Sequence, residues 1–125
     1  MTSATRHHTV TRYFTVVDAD RLIAFTISVL AAELFREARH RDGKIQHARV
    51  RIGDSVLMMN EATEAFAPNV SQMHVYVDDL DERYALALAE GATSIMTPNL
   101  RPHGDRMAGV VEPCGNIWWL AEVVD

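Results

Sequence analysis

The sequence has one cysteine, Cys114, so it cannot close a disulfide within the chain. It has no apolar run approaching the ~20 residues that cross a bilayer. It also lacks a concentrated basic face. Its Lys and Arg are scattered and the formal net charge is −5, which argues against nucleic acid as the main partner. Residues 1–11 are polar, include His7 and His8, and contain no apolar core of a signal peptide. Together these absences give the expectation of a cytoplasmic protein that engages neither membrane nor nucleic acid.

What is present is sufficient for one compact domain. The chain has 125 residues, 48% of them hydrophobic and 23% charged. Two segments match in type and order. The first runs Val16-Val17-Asp18-Ala19-Asp20, then a helical stretch to Leu30, then Ala31-Ala32. The second runs Tyr76-Val77-Asp78-Asp79-Leu80, then a helical stretch to Glu90, then Gly91-Ala92. Val16 and Tyr76 set an offset of 60 residues. Gly43 and Gly104 nearly keep it, as do Ser55 to Met59 and Asn116 to Leu120. The pattern predicts two modules, about 11–60 and 71–123, with a linker at about 61–70 holding Pro68, all within one domain over 1–125.

Asp18 and Asp78 are the expected helix caps. The first helix, about Ala19 to Leu30, carries an apolar stripe of Leu22, Ile23, Phe25, Thr26 and Val29. The second, about Leu80 to Glu90, carries Tyr84, Leu86 and Leu88 and stops at Gly91. Strands are expected at about Arg12–Val17, Glu33–Ala38, Ile45–Ile52, Val56–Asn60, Ser71–Val77, Thr93–Thr97, Arg106–Val111 and Ile117–Val123. Gly53-Asp54 and Pro113-Cys114-Gly115-Asn116 are turn signals. Two helices among strands joined mostly by hairpins define an α+β fold with mixed sheet.

Several stretches look like the compact glyoxalase-like branch of the vicinal oxygen chelate superfamily, the glyoxalase, bleomycin resistance and dioxygenase proteins. They are Val17-Asp18-Ala19 through Ile23-Ala24-Phe25; Asp42-Gly43-Lys44-Ile45-Gln46-His47-Ala48 with Ile52-Gly53-Asp54-Ser55-Val56-Leu57-Met58; Tyr76-Val77-Asp78-Asp79-Leu80-Asp81 with Glu90-Gly91-Ala92; and Gly104-Asp105-Arg106 with Glu112-Pro113-Cys114-Gly115-Asn116-Ile117-Trp118. The resemblance implies two β-α-β-β-β modules forming a curved mixed sheet around a cleft, in a homodimer. It also implies a divalent metal held by one residue from the first and last strand of each module. Those positions fall on Thr11, Met58, Gln72 and Trp119. Met58 is a soft thioether, Gln72 offers one carbonyl oxygen, and Trp119 offers no ligand atom. The expectation is therefore no metal and no cofactor.

Strand alternation then places Tyr13, Thr15, Met58, Asn60, Gln72, His74, Tyr76 and Trp119 on the cleft side, with Trp118 and Leu120 behind. A pocket lined by large apolar surfaces and a few polar groups suits a small, possibly aromatic ligand. Each residue also has a plainer reading. Trp119 and Met58 can fill the cavity as core. His74 is a candidate general base or a satisfied strand histidine. His47 and His103 read as solvated strand-end or loop residues. Asp105 and Arg106 read as a local ion pair, and Cys114 as an unreactive turn residue. A rescued metal site would have to draw on His47, His74, Glu61 and Glu122, and parity puts both glutamates on the wrong face.

Three functions follow in order: metal-independent small-molecule binding or sequestration; a metal-dependent lyase- or dioxygenase-type enzyme with non-standard ligands; and a dimeric interaction or regulatory module.

Overall fold

The computed structural model describes residues 8–124. In chain order the elements are β1 (Tyr13–Val16), α1 (Ala19–Leu30), β2 (Glu33–Arg39), β3 (Ile45–Ile52), β4 (Ser55–Glu61), β5 (Gln72–Tyr76), α2 (Leu80–Ala89), β6 (Thr93–Leu100), β7 (Arg106–Val111) and β8 (Ile117–Glu122). The expected α+β architecture of two β-α-β-β-β modules is present. The strands form two four-stranded sheets, ordered β1-β4-β3-β2 and β5-β8-β7-β6, rather than one continuous sheet. In each sheet the first and last strands run parallel and the other pairs antiparallel.

The registers put the repeat offset at 61 for the first and last strands of each module, while the two middle strands keep 60, as Arg49 and Gly109 show. Tyr13 lies opposite Met58, and His74 opposite Trp119. The helix caps are Asp18 and Asp79, not Asp78. Both caps sit in the left-handed region, at φ 74° and 55°, which a short polar side chain tolerates. Their carboxylates accept from Arg21 N and Glu82 N. A second carboxylate reinforces each helix start. Glu61, ending β4, accepts from Asp18 N and Ala19 N at 2.7 and 2.8 Å. Glu122, ending β8, accepts from Asp79 N at 3.0 Å. Negative charge is favourable there, where the first turn leaves N–H groups unbonded.

The α1 stripe packs as expected: Leu22, Ile23, Phe25, Thr26 and Val29 are all buried. In α2 the buried positions are Leu80 and Ala87, while Tyr84 and Leu86 are half-buried and Leu88 is exposed. Pro98 interrupts β6, an edge strand whose pairing shifts register between Met96 and Asn99.

One core serves both modules. The Trp118 ring stacks on Phe14 with centroids 6.1 Å apart and tilts against Phe25 at 5.7 Å. Helix α1 packs on α2, and Phe14 of β1 meets Trp118 of β8 beneath them, but no strand of one sheet pairs with a strand of the other. The modules are thus joined on the helix side, and each sheet leaves its opposite face open. No described helix is long and apolar enough to cross a membrane.

Candidate functional site

Alternation sorted the faces correctly. Phe14, Val16, Met59, Trp118 and Leu120 are buried, whereas Tyr13, Gln72, His74 and Tyr76 are exposed and Thr15, Met58, Asn60 and Trp119 half-buried. The eight residues do not meet in one chain. Tyr13, Thr15, Met58 and Asn60 lie on the open face of the first sheet. Gln72, His74, Tyr76 and Trp119 lie on that of the second. Within one chain these residues therefore belong to two separate sheet faces. Neither Trp119 nor Met58 fills a cavity as core.

The second face is built around Trp119. Its indole N–H donates to Gln72 Oε1 on β5. Its six-membered ring lies over Gly109 on β7, where a Cβ would come within 2.5 Å of Trp119 Cζ3. Gly109 is therefore required for the ring to lie flat across three strands. His74 packs edge-on against Tyr76 with ring centroids 5.0 Å apart. Tyr76 donates its hydroxyl to Asp105 at 3.4 Å, and the His103 Nε2 lies 3.8 Å from the same carboxylate. Arg106 does not pair with Asp105. It bridges Asp81 at 3.1 Å and Glu122 at 3.3 Å, tying the start of α2 to β7 and β8.

The first face is basic. Tyr13, Met58, Arg49 and Arg36 form one row across β1, β4, β3 and β2. His47, two residues before Arg49, belongs to the same face and not to a solvated strand end. Its Nδ1 lies 3.0 Å from the Tyr13 hydroxyl, and its Nε2 accepts from Arg49 Nε at 3.0 Å. That acceptor role puts the imidazole proton on Nδ1, directed at the Tyr13 oxygen. Burial, then the charges of Arg49 and Arg36, hold the His47 pKa below its ordinary value. Burial raises the Tyr13 pKa, with Arg49 opposing it. Asn60 keeps a buried amide oxygen with no hydrogen-bond donor among the described residues.

His47, Arg49, Arg36 and Gly109 were not among the sequence-derived site residues. The signal for the first two was available: in β3, Ala48 and Val50 are buried and alternate with half-buried His47, Arg49 and Arg51. Gly109 is announced by no pattern, because the need for it comes from a ring on the neighbouring strand.

The positions aligned with the superfamily's metal ligands do not suit a hard divalent ion. Gln72 directs its oxygen to the Trp119 indole. Met58 and Trp119 add a thioether and an indole, and Thr11 a single hydroxyl. The rescue residues are separated too. Glu61 and Glu122 bind helix N-termini, and His47 and His74 stand on different sheets. Among the described residues no three His, Cys, Asp or Glu side chains converge as a metal site. Cys114 donates to the Val17 carbonyl at 3.3 Å, and its thiol pKa is pushed up to about 12, by burial first and then by the negative charges of Glu112, Asp18 and Glu61.

A groove of about 610 Å³ runs between β5 and the first module, reaching Arg12 and Leu57 on one side and Trp118 on the other. It is lined by Gln72 to Asp78, the Ile52–Ser55 turn, the end of α1 and Arg83. None of Tyr13, Thr15, Met58, Asn60 or Trp119 lines it.

Comparison with known proteins agrees with this architecture. The Glyoxalase/Bleomycin resistance protein/Dioxygenase superfamily model matches residues 5–120, and the chain belongs to that superfamily. An uncharacterized protein of Mycobacterium bovis is 28% identical, the match covering 90% of this chain and 81% of the relative. TioX from Micromonospora sp. ML1 superposes with a TM-score of 0.76 at 22% identity, covering 94% of this chain and 100% of that one. TnmS3, an antibiotic binding protein from Streptomyces sp. CB03234, gives 0.71 at 19% identity, covering 96% and 98%. At these identities the structural likenesses speak for the fold alone.

Proposed function

We propose that the protein binds a small molecule with an aromatic face, without a metal chelate, in a cleft completed by a second copy of the chain. The observation that carries this reading is the Trp119 platform. A flat indole, fixed at one end by Gln72 and seated on Gly109 at the other, offers a half-exposed aromatic surface where the superfamily would place a metal ligand. Such surfaces favour stacked or edge-on aromatic partners. The split of the half-faces supports the second copy. One chain leaves Tyr13 and Tyr76 40% and 63% exposed on separate sheets, and a homodimer would set one face opposite the other. An antibiotic-binding protein of the same fold is in keeping with this reading.

The test uses an uncharged fluorescent probe, N-phenyl-1-naphthylamine, together with sedimentation equilibrium. The expected result is a dimer that binds two probe molecules, with Trp119→Leu weakening binding by about tenfold while leaving the dimer intact. A monomer that binds the probe equally well, or a Trp119→Leu variant with unchanged affinity, would overturn the proposal.

A further inference from the structure

The basic groups of the first face are arranged differently from the other paired arginines of the molecule. Arg39 meets Asp20 and Glu37 within 2.7 Å, Arg51 meets Glu33 at 3.0 Å, and Arg106 meets Asp81 and Glu122. Arg36 and Arg49 meet no carboxylate among the described residues. They are direct cross-strand partners, so two like charges stand side by side on one face. Like charges in that position destabilise a sheet. The chain as a whole has an excess of acid, 17 Asp and Glu against 12 Lys and Arg, and what sets Arg36 and Arg49 apart from other arginines that meet no carboxylate among the described residues, such as Arg12, Arg21 and Arg83, is that they face each other across two strands. Arg49 Nε is engaged by His47, which leaves its two terminal nitrogens for another acceptor. Tyr13, whose oxygen accepts from His47, ends the row with its hydroxyl hydrogen. Close by, Asn60 holds its buried, donorless oxygen.

We infer that this row is an oxyanion site, and that the ligand of the cleft is an aromatic acid: a planar ring for Trp119 bearing a carboxylate or sulfonate for Arg49 and Arg36. The inference rests on the two-copy cleft proposed above, because the ring platform and the arginines lie on different sheets. An arginine fork matches a two-oxygen anion with paired hydrogen bonds, and the anion relieves the repulsion between the two guanidinium groups.

The test compares two probes of the same ring system, 8-anilinonaphthalene-1-sulfonate and the uncharged N-phenyl-1-naphthylamine, at low and high salt. The expected result is about tenfold tighter binding of the sulfonate at low salt, a preference that shrinks as salt rises. Arg49→Gln and Arg36→Gln should each cost the sulfonate about five- to tenfold and leave the neutral probe unchanged. Urea unfolding of unliganded Arg36→Gln should show no loss of stability, since that substitution removes a like-charge contact. Equal binding of the two probes by the wild-type protein overturns the oxyanion site and leaves the cleft standing. So does a variant that loses both probes together, or an Arg36→Gln variant that unfolds earlier. Failure of both probes to bind removes the cleft, and this inference with it.

Discussion

The two modules repeat one plan at an offset of 60 to 61 residues but present opposite chemistry on their open faces. The first offers Tyr13, His47, Arg49 and Arg36; the second offers Trp119 on Gly109, with Gln72, His74 and Tyr76. What the repeat keeps is the frame: the left-handed Asp18 and Asp79 caps, and the Glu61 and Glu122 carboxylates beneath the helices. What it changes is every side chain that a ligand in a shared cleft would touch. Fold and face are under different physical constraints, and equivalent residues measure the difference.

The largest expected contrast lies in the core. Trp118 and its equivalent Leu57 are both buried, but only Trp118 bridges the modules, through Phe14 and Phe25. Trp118→Ala is expected to destabilise the chain by about 3–5 kcal/mol, and Leu57→Ala by about 2 kcal/mol. Denaturant unfolding measures both; equal losses would mean that Trp118 supports only its own sheet.

A smaller contrast separates Glu112 from Arg51. Glu112 is buried and accepts from the Asn116 backbone N–H, the Asn116 side chain and Trp118 Nε1. Asn116 in turn accepts from Ser71 N at 2.8 Å, holding β5 onto β8. Glu112→Leu leaves these donors without a partner and should cost about 2–3 kcal/mol. Arg51, on the open face of the first sheet, is half-buried and pairs with an exposed Glu33. Arg51→Leu should cost less than about 1 kcal/mol. Thermal unfolding of the pair of variants provides the comparison.

The smallest effect is a pH dependence confined to the first face. The folded protein holds His47 neutral more strongly than the unfolded chain does. In the window between its lowered pKa and the ordinary histidine value the unfolded chain binds more protons. Stability should therefore rise with pH through that window and be smaller on its acid side. Arg49→Gln should narrow the window by raising the His47 pKa, read from imidazole chemical shifts. A wild-type His47 that titrates at or above the ordinary value would contradict the geometry.

Much of this was visible in the sequence, because period-2 alternation and cap residues are local. Phe14 against Tyr13, and Trp118 against Trp119, were sorted correctly by parity alone. The Asp78-Asp79 pair hid the true cap, and the offset slipped by one residue with it. Alternation assigns a side chain to a face but carries no information about which faces meet. The eight residues could thus be chosen one by one while their division between two sheets stayed hidden. Gly109 escaped for a related reason: its small size matters only because the Trp119 ring crosses from the next strand.

The separation of the two sheets within one chain has a consequence for dose. In the proposed pairing each binding site draws half its surface from another molecule, so occupancy depends on the protein's own concentration as well as the ligand's. By mass action the ligand would act as an adhesive: it promotes assembly when protein is scarce, and dilution weakens its apparent affinity. A cell holding little of this chain would capture almost nothing, and a modest rise in expression would bring a disproportionate gain in capture.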